Sequence, residues 1–306
     1  MKRAICVGIN NYPGSANDLQ GCLNDVSDWS NLLHQNGFET TIITNSAATR
    51  AKVKSVLNSI ITAAQGGDVL VFQYSGHGTS VIDRNGDETD SYDEALYLYD
   101  GALLDDELRD IFKLIPQGVQ MIIILDSCFS GTATKASVGS TVKRKYVPGD
   151  GQLVKKKKAF LYDEAMKEIL IAGCGDDEYS YDTDFNGRAN GAFSRYAIDV
   201  FKSDLTYTAF IDALNKRLPS SAYPQTPQLE CSIANAKQMM FSSLPEIPEI
   251  PEIPANEFRF EFHNKNSIGE VNLINNKWTA TLNNIKSTSK VSAIAAIAAV
   301  IKRQIL

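Results

Sequence analysis

The chain has 306 residues, of which 43% are hydrophobic and 22% charged, with a formal net charge of −6. This length predicts one large domain with at most a small addition, and the balanced charge gives no bulk attraction to nucleic acid or to an anionic membrane, so we expect neither as a partner. Five scattered cysteines form no CxxC pair, and the apolar stretch at residues 4–9 is too short for a secretory signal, so we expect a reducing, cytoplasmic location.

Short β-branched runs alternate with longer amphipathic segments along the first half of the chain. Strands are predicted at residues 4–9, 40–44, 68–74 and 120–125, and helices at residues 19–33, 50–64 and 104–114. This alternation is typical of an α/β domain with a mostly parallel central sheet flanked by helices. Strands near residues 168–172 and 228–233, with helices at 191–201 and 208–218, predict a second, smaller half of the same sheet.

Two segments lack this periodicity. Residues 130–158 are rich in Thr, Ser, Gly and Lys, which predicts an exposed, mobile loop. Residues 244–255 repeat Pro-Glu-Ile, which is typical of a stiff linker. Beyond it, residues 256–306 predict a small strand-rich module of unknown role, with an apolar helix at 293–301 that has about half the ~20 residues of a membrane span. We expect this module to bind a regulatory partner.

Two of the apolar runs end in reactive side chains. The run at residues 68–74 is followed by His77 between two glycines, and the run at residues 120–125 is followed by Cys128. In parallel sheets the ligand site forms beyond the carboxyl ends of the strands, so the two side chains are expected to meet. Histidine can take the thiol proton and later protonate a leaving group, and the amides of Gly78 and Cys128 could donate to an oxyanion. These features predict a Cys/His dyad for acyl transfer to water.

The alternative for isolated cysteines and histidines is a structural role. We prefer that interpretation for Cys6, Cys174 and Cys231. For Cys128 and His77 the matching strand ends and glycine-containing turns favour the catalytic one.

The chain resembles the caspase-like cysteine peptidases of the metacaspase/orthocaspase branch over roughly residues 2–243. The motifs that carry the resemblance are Ser75-Gly76-His77-Gly78, Asp126-Ser127-Cys128-Phe129-Ser130-Gly131, Gly21-Cys22-Leu23-Asn24-Asp25 and Tyr92-Asp93-Glu94. The spacing of about 50 residues from histidine to cysteine is also that of caspases. The resemblance implies a caspase-like fold, a large-subunit-like part at residues 1–135, a loop at 136–158 and a small-subunit-like part at 159–243.

The resemblance also implies an S1 pocket lined by Cys22, Asp25, Ser75 and Asp126. The Gln-Ala-Cys-x-Gly context of aspartate-specific caspases is missing, and two carboxylates suit a guanidinium or an ammonium. We therefore expect an endopeptidase that cleaves protein or peptide substrates after Arg, and secondarily after Lys, through a thioester intermediate. Glu178 is a weaker candidate for a third carboxylate.

A peptidase of this specificity would find its own cleavage sites in the central loop. The basic clusters there predict self-processing, although a run of lysines is equally typical of a solvated loop. The candidate residues are Lys143, Arg144, Lys145, Lys155, Lys156, Lys157 and Lys158.

Calcium is the one cofactor that the resemblance raises, as an activator and not as a participant in the chemistry. The positions that match the family's calcium site are Asp93, Asp105 and Asp106, whereas a fourth carboxylate position falls on Lys135. An ammonium there would weaken a site for a hard cation, so we expect calcium dependence to be reduced or lost. The alternative is that Asp105 and Asp106 simply begin a helix.

Two other functions compete with the endopeptidase. One is a catalytically silent scaffold that displays the C-terminal module, and the intact dyad argues against it. The other is a thiol amidase or ligase with the same fold.

Overall fold

The computed structural model describes residues 1–82, 92–128, 142–148, 166–175 and 178–244, and the backbone of four strands after residue 257. The chain forms two compact units, Met1–Glu246 and Ile247–Leu306. The predicted division of the first unit into large-subunit-like and small-subunit-like parts stays a prediction.

The first unit alternates strands and helices, as the sequence periodicity predicts. In chain order its elements are β1 (Lys2–Gly8), α1 (Cys22–Gln35), β2 (Glu39–Thr44), α2 (Arg50–Thr62), β3 (Val69–Ser75), β4 (Gly78–Ile82), β5 (Tyr92–Leu98), β6 (Gly101–Leu104), α3 (Asp105–Phe112), β7 (Gln120–Asp126), β8 (Lys143–Arg144), β9 (Glu168–Ala172), β10 (Tyr181–Asp184), β11 (Ala189–Gly191), α4 (Ala192–Val200), α5 (Tyr207–Leu214), β12 (Gln228–Glu230) and α6 (Ile233–Ala236).

A six-stranded sheet with the order β12-β9-β7-β3-β1-β2 forms the centre of this unit. Its strands are parallel except β12, which pairs with β9 in the antiparallel direction. After β2 the chain crosses to the other side of β1 and continues with β3, so the strand order reverses between β1 and β3. The carboxyl ends of β1, β3 and β7 therefore form the edge at which a parallel sheet is expected to bind its ligand.

Helices cover both faces of the sheet because alternate residues of each buried strand point in opposite directions. On β1, Ile5 and Val7 pack with the buried side chains of α2 and α3. On the same strand, Ala4 and Cys6 pack with α1, α4 and α5. Both faces of β3 and β7 are thus dry, which explains why these strands read as continuous apolar runs.

Two small antiparallel sheets beside the central one were not predicted from the sequence. One has the order β4-β5-β6, and the other has the order β11-β10-β8. Their strands have two to seven residues, which gives little periodicity to detect.

The second unit contains a four-stranded antiparallel sheet in the order of the chain. Its strands are β13 (Phe258–Asn264), β14 (Ser267–Ile274), β15 (Lys277–Leu282) and β16 (Ile285–Ser289). The predicted linker at 244–255, apart from residue 244, and the predicted helix at 293–301 lie outside the described residues. Among the residues that the structure describes, no helix has the length and apolarity needed to cross a membrane.

Candidate active site

His77 and Cys128 follow neighbouring strands at the same level. Strands β3 and β7 pair in parallel with Ser75 opposite Asp126, and each reactive residue stands two positions beyond its member of this pair. Both side chains are buried, His77 with 4% and Cys128 with 0% of its surface exposed. The strand register therefore brings the two predicted catalytic residues to one edge of the sheet.

The imidazole of His77 is oriented by a loop after β1. Its Nε2 lies 2.7 Å from the carbonyl oxygen of Asn17. A carbonyl can only accept, so Nε2 carries the proton and Nδ1 keeps the lone pair of a base. Burial and the positive charge of Lys145 together lower the pKa of His77 to about 4, against the effect of the Asn17 carbonyl. At neutral pH the ring is thus an uncharged base.

The thiol of Cys128 is protonated in this arrangement. Burial raises its pKa to about 12, although the Ser180 backbone and the charge of Lys145 both act to lower it. A thiol becomes a strong nucleophile only as a thiolate. The proton must therefore move to a base as the thiol attacks.

A segment of the protein's own central loop lies across these two residues. Residues Lys143–Arg144 form β8, which pairs with β10 in the antiparallel direction, and the Lys145 N–H donates to the Ser180 carbonyl at 2.9 Å. The Lys145 carbonyl oxygen accepts from the N–H of Gly78 at 3.0 Å and from the N–H of Cys128 at 3.3 Å. The backbone amides predicted to form an oxyanion hole thus bind one and the same carbonyl oxygen.

The side chain of Lys145 enters the predicted S1 pocket. Its ammonium lies 3.1 Å from Asp25, 3.1 Å from Asp126 and 2.8 Å from the hydroxyl of Ser75. Burial alone would lower the pKa of Lys145, but the charges of Asp126, Cys22 and Asp25 raise it well above its ordinary value. The ammonium thus donates to Asp25 and Ser75 and forms an ion pair with Asp126.

Each pocket carboxylate has further donors. Asp25 accepts from the side-chain amide of Asn190 at 2.9 Å and from the N–H of Gly191. Asp126 accepts from the hydroxyl of Ser180 at 2.6 Å and from the N–H of Ser194 at 3.1 Å. These bonds hold two buried carboxylates in place beside each other.

Cys22 begins α1, and its side chain is buried. Burial raises the pKa of this thiol well above its usual range, against the opposing effect of the Lys145 charge. The four residues expected to line S1 therefore lie around a single ammonium.

Two expectations about this region were wrong. The sequence predicts Lys145 in an exposed loop, yet the residue has no exposed surface, because the backbone of its segment pairs with β10 and its ammonium lies between two carboxylates. Glu178 was considered a third pocket carboxylate, but its oxygens accept from the backbone of Gly175 and from the hydroxyl of Thr226. The second basic cluster, Lys155 to Lys158, lies outside the described residues.

Two residues near the pocket were not predicted from the sequence. The carboxylate of Asp182 accepts from the N–H groups of Gln20 and Gly21, and burial raises its pKa to about 6 while Lys145 lowers it. Gly191 closes the pocket, since a side chain there would overlap the carboxylate of Asp126 and the ammonium of Lys145. Neither has a local signal, because each acts through contacts with distant segments.

Two of the three predicted calcium ligands, Asp105 and Asp106, are already paired with a cation. Burial, together with the charges of Asp106 and Asp93, raises the pKa of Asp105 to about 6 against the opposing effect of the Arg109 charge. Arg109 lies 2.8 Å from Asp105 and 3.1 Å from Asp106. In the described part of the chain no group of three or more His, Cys, Asp or Glu side chains forms a metal-binding arrangement. Lys135 lies outside that part.

Comparison with known proteins identifies a family to which the chain is similar. Residues 2–137 match the family model described as metacaspase, peptidase C14 domain. Metacaspase-1 of Schizosaccharomyces pombe is 32% identical over 287 residues, which cover 76% of this chain and 67% of that protein. Metacaspase-1A of Aspergillus niger is 31% identical over 285 residues, covering 76% of this chain and 70% of that protein.

Solved structures support the same fold. The crystal structure of protein GSU0716 from Geobacter sulfurreducens has a TM-score of 0.62 at 28% identity and covers 80% of this chain and 99% of that one. Caspase-1 from Spodoptera frugiperda has a TM-score of 0.51 at 12% identity, covering 74% of this chain and 85% of that one, which shows the shared fold alone. The predicted caspase-like α/β fold is thereby confirmed. The chain belongs to the metacaspase family of caspase-like cysteine peptidases.

Proposed function

We propose that this cysteine peptidase cleaves peptide bonds after Arg, and secondarily after Lys, with Cys128 as nucleophile and His77 as base. The observation that carries the proposal is the position of Lys145. Its carbonyl oxygen accepts from Gly78 and Cys128, while its ammonium lies between Asp25 and Asp126. A substrate residue at P1 would need both interactions at once.

The proposed reaction has two steps. The Cys128 sulfur attacks the carbonyl carbon, His77 Nδ1 takes the thiol proton, and the amides of Gly78 and Cys128 stabilise the developing oxyanion. His77 then protonates the leaving amine, the C–N bond breaks and a thioester remains. Water attacks the thioester, its proton passes to His77, and the departing thiolate takes that proton back.

The pocket charge supports a basic P1 residue. Two buried carboxylates without a cation would repel each other. Binding of a neutral or acidic P1 side chain in the pocket would therefore be less favourable than binding of a basic one by several kcal/mol. A guanidinium can bridge two carboxylates with its planar set of donors, which favours Arg, and Lys145 illustrates how an ammonium fits.

The same observation supports self-processing between Lys145 and Tyr146. The segment follows the active-site edge on both sides of this bond, since the N–H of Val147 donates to the carbonyl of Gly78 at 3.0 Å. Of the candidate cleavage sites, Lys145 is the one whose carbonyl contacts both proposed oxyanion donors in the described residues. Arg144 and Lys143 stand one and two positions before it.

Fluorogenic peptides that differ only at P1 test the specificity. Peptides with Arg, Lys, Asp or Asn at P1 should be cleaved in the order Arg, then Lys, with no turnover of the other two, and Cys128→Ala should be inactive on all. Turnover restricted to Asp or Asn would refute the proposed pocket. No turnover of any peptide would leave the silent scaffold, whereas transfer to an added amine instead of water would favour the ligase.

Intact-mass spectrometry of the purified chain tests the self-processing. We expect fragments that end at Lys145 and begin at Tyr146 from the wild type and none from Cys128→Ala. Fragments ending within the second basic cluster alone would contradict the assignment to Lys145.

Calcium activation remains a separate proposal. A cation would have to displace Arg109 from Asp105 and Asp106. Isothermal titration with CaCl2 should therefore show weak binding to the wild type, and Asp105→Asn should weaken it further; unchanged heats in that variant would place the ion elsewhere.

Location and regulation are also proposals. All five cysteines are free, which supports a reducing compartment such as the cytoplasm. A regulatory role for the C-terminal unit is tested by comparing the activity of the full chain with a chain that ends at Ser243. Equal activity would argue against control of catalysis by this unit itself.

A further inference from the structure

The segment of the central loop at residues 143–145 provides more than a P1 residue, because Lys143 and Arg144 contact the protein on two different sides. In an extended strand, alternate side chains point in opposite directions. Lys143 and Lys145 accordingly face the loop before α1 and the acidic pocket, whereas Arg144 faces the loop before β10. A substrate bound in the same register would place its P3, P2 and P1 side chains at these three positions.

The side chain of Arg144 lies on an aromatic ring, that of Tyr179, which we call the aromatic platform. Its guanidinium lies over the ring of Tyr179, 4.4 Å from the ring centroid. Tyr179 is itself 7% exposed and packs in a cluster with Cys128, Cys174 and Tyr181. The ring is thus anchored to the same elements as the nucleophile, and it presents one face to the second residue of the bound segment.

The residue after Tyr179 sets the register of the bound strand. The next residue, Ser180, accepts the N–H of Lys145 through its carbonyl. The hydroxyl of Ser180 also donates to Asp126 at the base of the S1 pocket. A strand that aligns with this carbonyl therefore brings its P2 side chain over the ring whenever its P1 side chain enters the pocket.

The side chain of Lys143 is bound by a backbone carbonyl. Its ammonium donates to the carbonyl oxygen of Asp18 at 2.6 Å. This carbonyl is held in place because the carboxylate of Asp18 accepts from the N–H of Tyr12 at 2.9 Å, and the preceding residue, Asn17, orients His77. The P3 contact therefore belongs to the loop that also sets the proposed base.

We propose that the peptidase recognises runs of consecutive basic residues, with arginine at P2 stacked on Tyr179 and lysine at P3 bound by the Asp18 carbonyl. This inference rests on the proposed function, because it requires cleavage after a basic P1 residue. It narrows the substrate class from proteins with one accessible basic residue to proteins with a basic cluster in an extended segment. Guanidinium stacking makes arginine a better P2 residue than lysine, whose compact ammonium lacks the planar face.

A set of peptides with lysine fixed at P1 tests the inference. The peptides acyl-Lys-Arg-Lys, acyl-Lys-Lys-Lys, acyl-Lys-Ala-Lys and acyl-Ala-Arg-Lys, each with the same fluorogenic leaving group, isolate P2 and P3. We expect kcat/KM for P2 Arg to exceed that for P2 Ala by about five- to tenfold. P2 Lys should fall between them, and replacing P3 Lys with Ala should cost about two- to threefold.

Variants of the platform assign the P2 preference to Tyr179. Tyr179→Phe keeps the ring face and should retain most of the Arg-to-Ala ratio, whereas Tyr179→Leu should bring the ratio close to one. Tyr196→Ala is the matched control, because Tyr196 packs with Phe185 and Tyr223 and should leave the ratio unchanged. The ratio is measured within one enzyme preparation, so partial misfolding of a variant cancels out.

The outcomes separate the two proposals. A ratio near one in the wild type, or an undiminished ratio in Tyr179→Leu, would overturn the inference while cleavage after lysine leaves the proposed function intact. If Tyr179→Leu cleaves nothing, the wild-type ratio together with that of Tyr179→Phe decides. Failure of every peptide with a basic P1 residue would instead remove the proposed function.

Discussion

The ammonium of Lys145 lies 3.1 Å from a carboxylate oxygen of Asp126, and neither side chain has any exposed surface. These residues come from the central loop and from the end of the buried strand β7, so the ion pair joins a loop to the core of the sheet. Breaking a buried pair by removing one partner is costly because the other charge is left without compensation. The pocket therefore depends on a cation from its occupant for its stability.

A double-mutant cycle measures this dependence. In a Cys128→Ala background, which prevents self-cleavage, Lys145→Met and Asp126→Asn should each lower the free energy of unfolding by about 3 kcal/mol. The double variant should lose less than the sum, because in the Asp126→Asn background Lys145→Met leaves one buried carboxylate, Asp25, without a cation instead of two. Urea unfolding provides the values.

Lys113→Met is the control for this cycle, because its pair with Asp110 is largely exposed and should contribute nothing measurable. Strict additivity of Lys145→Met and Asp126→Asn would show that their charges do not interact.

His77 should make stability depend on pH in the acidic range. Burial lowers its pKa from 6.5 to about 4, so between these values the unfolded chain binds a proton that the folded chain rejects. The contribution of His77 to the free energy of unfolding should then fall by up to about 3 kcal/mol as the pH drops from about 6.5 to about 4, while the raised pKa values of Asp105 and Asp182 change stability in the opposite direction. In the Cys128→Ala background His77→Gln should remove this part of the slope.

The exposed His34 provides the matched control for that measurement. His34→Gln should leave the acidic slope as it is in the parent. An equal change in both variants would mean that burial of His77 is not its cause.

Reactivity of the Cys128 thiol should report whether Lys145 occupies the pocket. With Lys145 in place the thiol is buried and burial raises its pKa to about 12, so alkylation by iodoacetamide should be slow. Lys145→Glu places a third negative charge against Asp25 and Asp126, which should expel the segment and speed alkylation of Cys128 at least tenfold.

Lys145→Arg keeps the positive charge and should keep the thiol protected. Both variants are made in a His77→Ala background, which cannot self-process by the proposed route. The alkylated cysteine is measured by peptide mass mapping. Equal rates in the two charge variants would contradict occupancy of the pocket by Lys145.

Gly191 should be indispensable for a basic occupant. A methyl group there would overlap the Asp126 carboxylate and the Lys145 ammonium, and both are held by hydrogen bonds that leave little freedom to move. Gly191→Ala should therefore reduce kcat/KM on peptides with Lys or Arg at P1 by at least a hundredfold and suppress cleavage at Lys145.

Gly175→Ala serves as comparison, since the nearest atoms to an added methyl lie 3.7 Å away and its activity should change little. Near-normal turnover by Gly191→Ala would show that the ammonium binds elsewhere.

The sequence predicted the central sheet well because that signal is local. Strands β3 and β7 are buried on both faces and therefore carry uninterrupted apolar runs, and the reactive residues stand directly after them. Asp25 and Asp126 were found through their motifs. The antiparallel strands around the site, such as β8 and β10, were missed because their pairing depends on residues far apart in the chain.

Lys145 shows where local information ends. A run of three basic residues in a Ser- and Gly-rich segment predicts a solvated loop, and the local pattern does not distinguish one lysine of the run from the other. Only the path of the chain decides that Lys145 is buried between two carboxylates while Arg144 meets an aromatic ring. By itself the sequence determined the strands of the central sheet and the two reactive residues that follow them, because each follows from neighbours a few positions away. The acidic character of the pocket was implied by the family resemblance. Tertiary structure alone decided which residue occupies the pocket, which glycine closes it and which tyrosine lies beside it, because those contacts join segments that nothing in the local pattern relates.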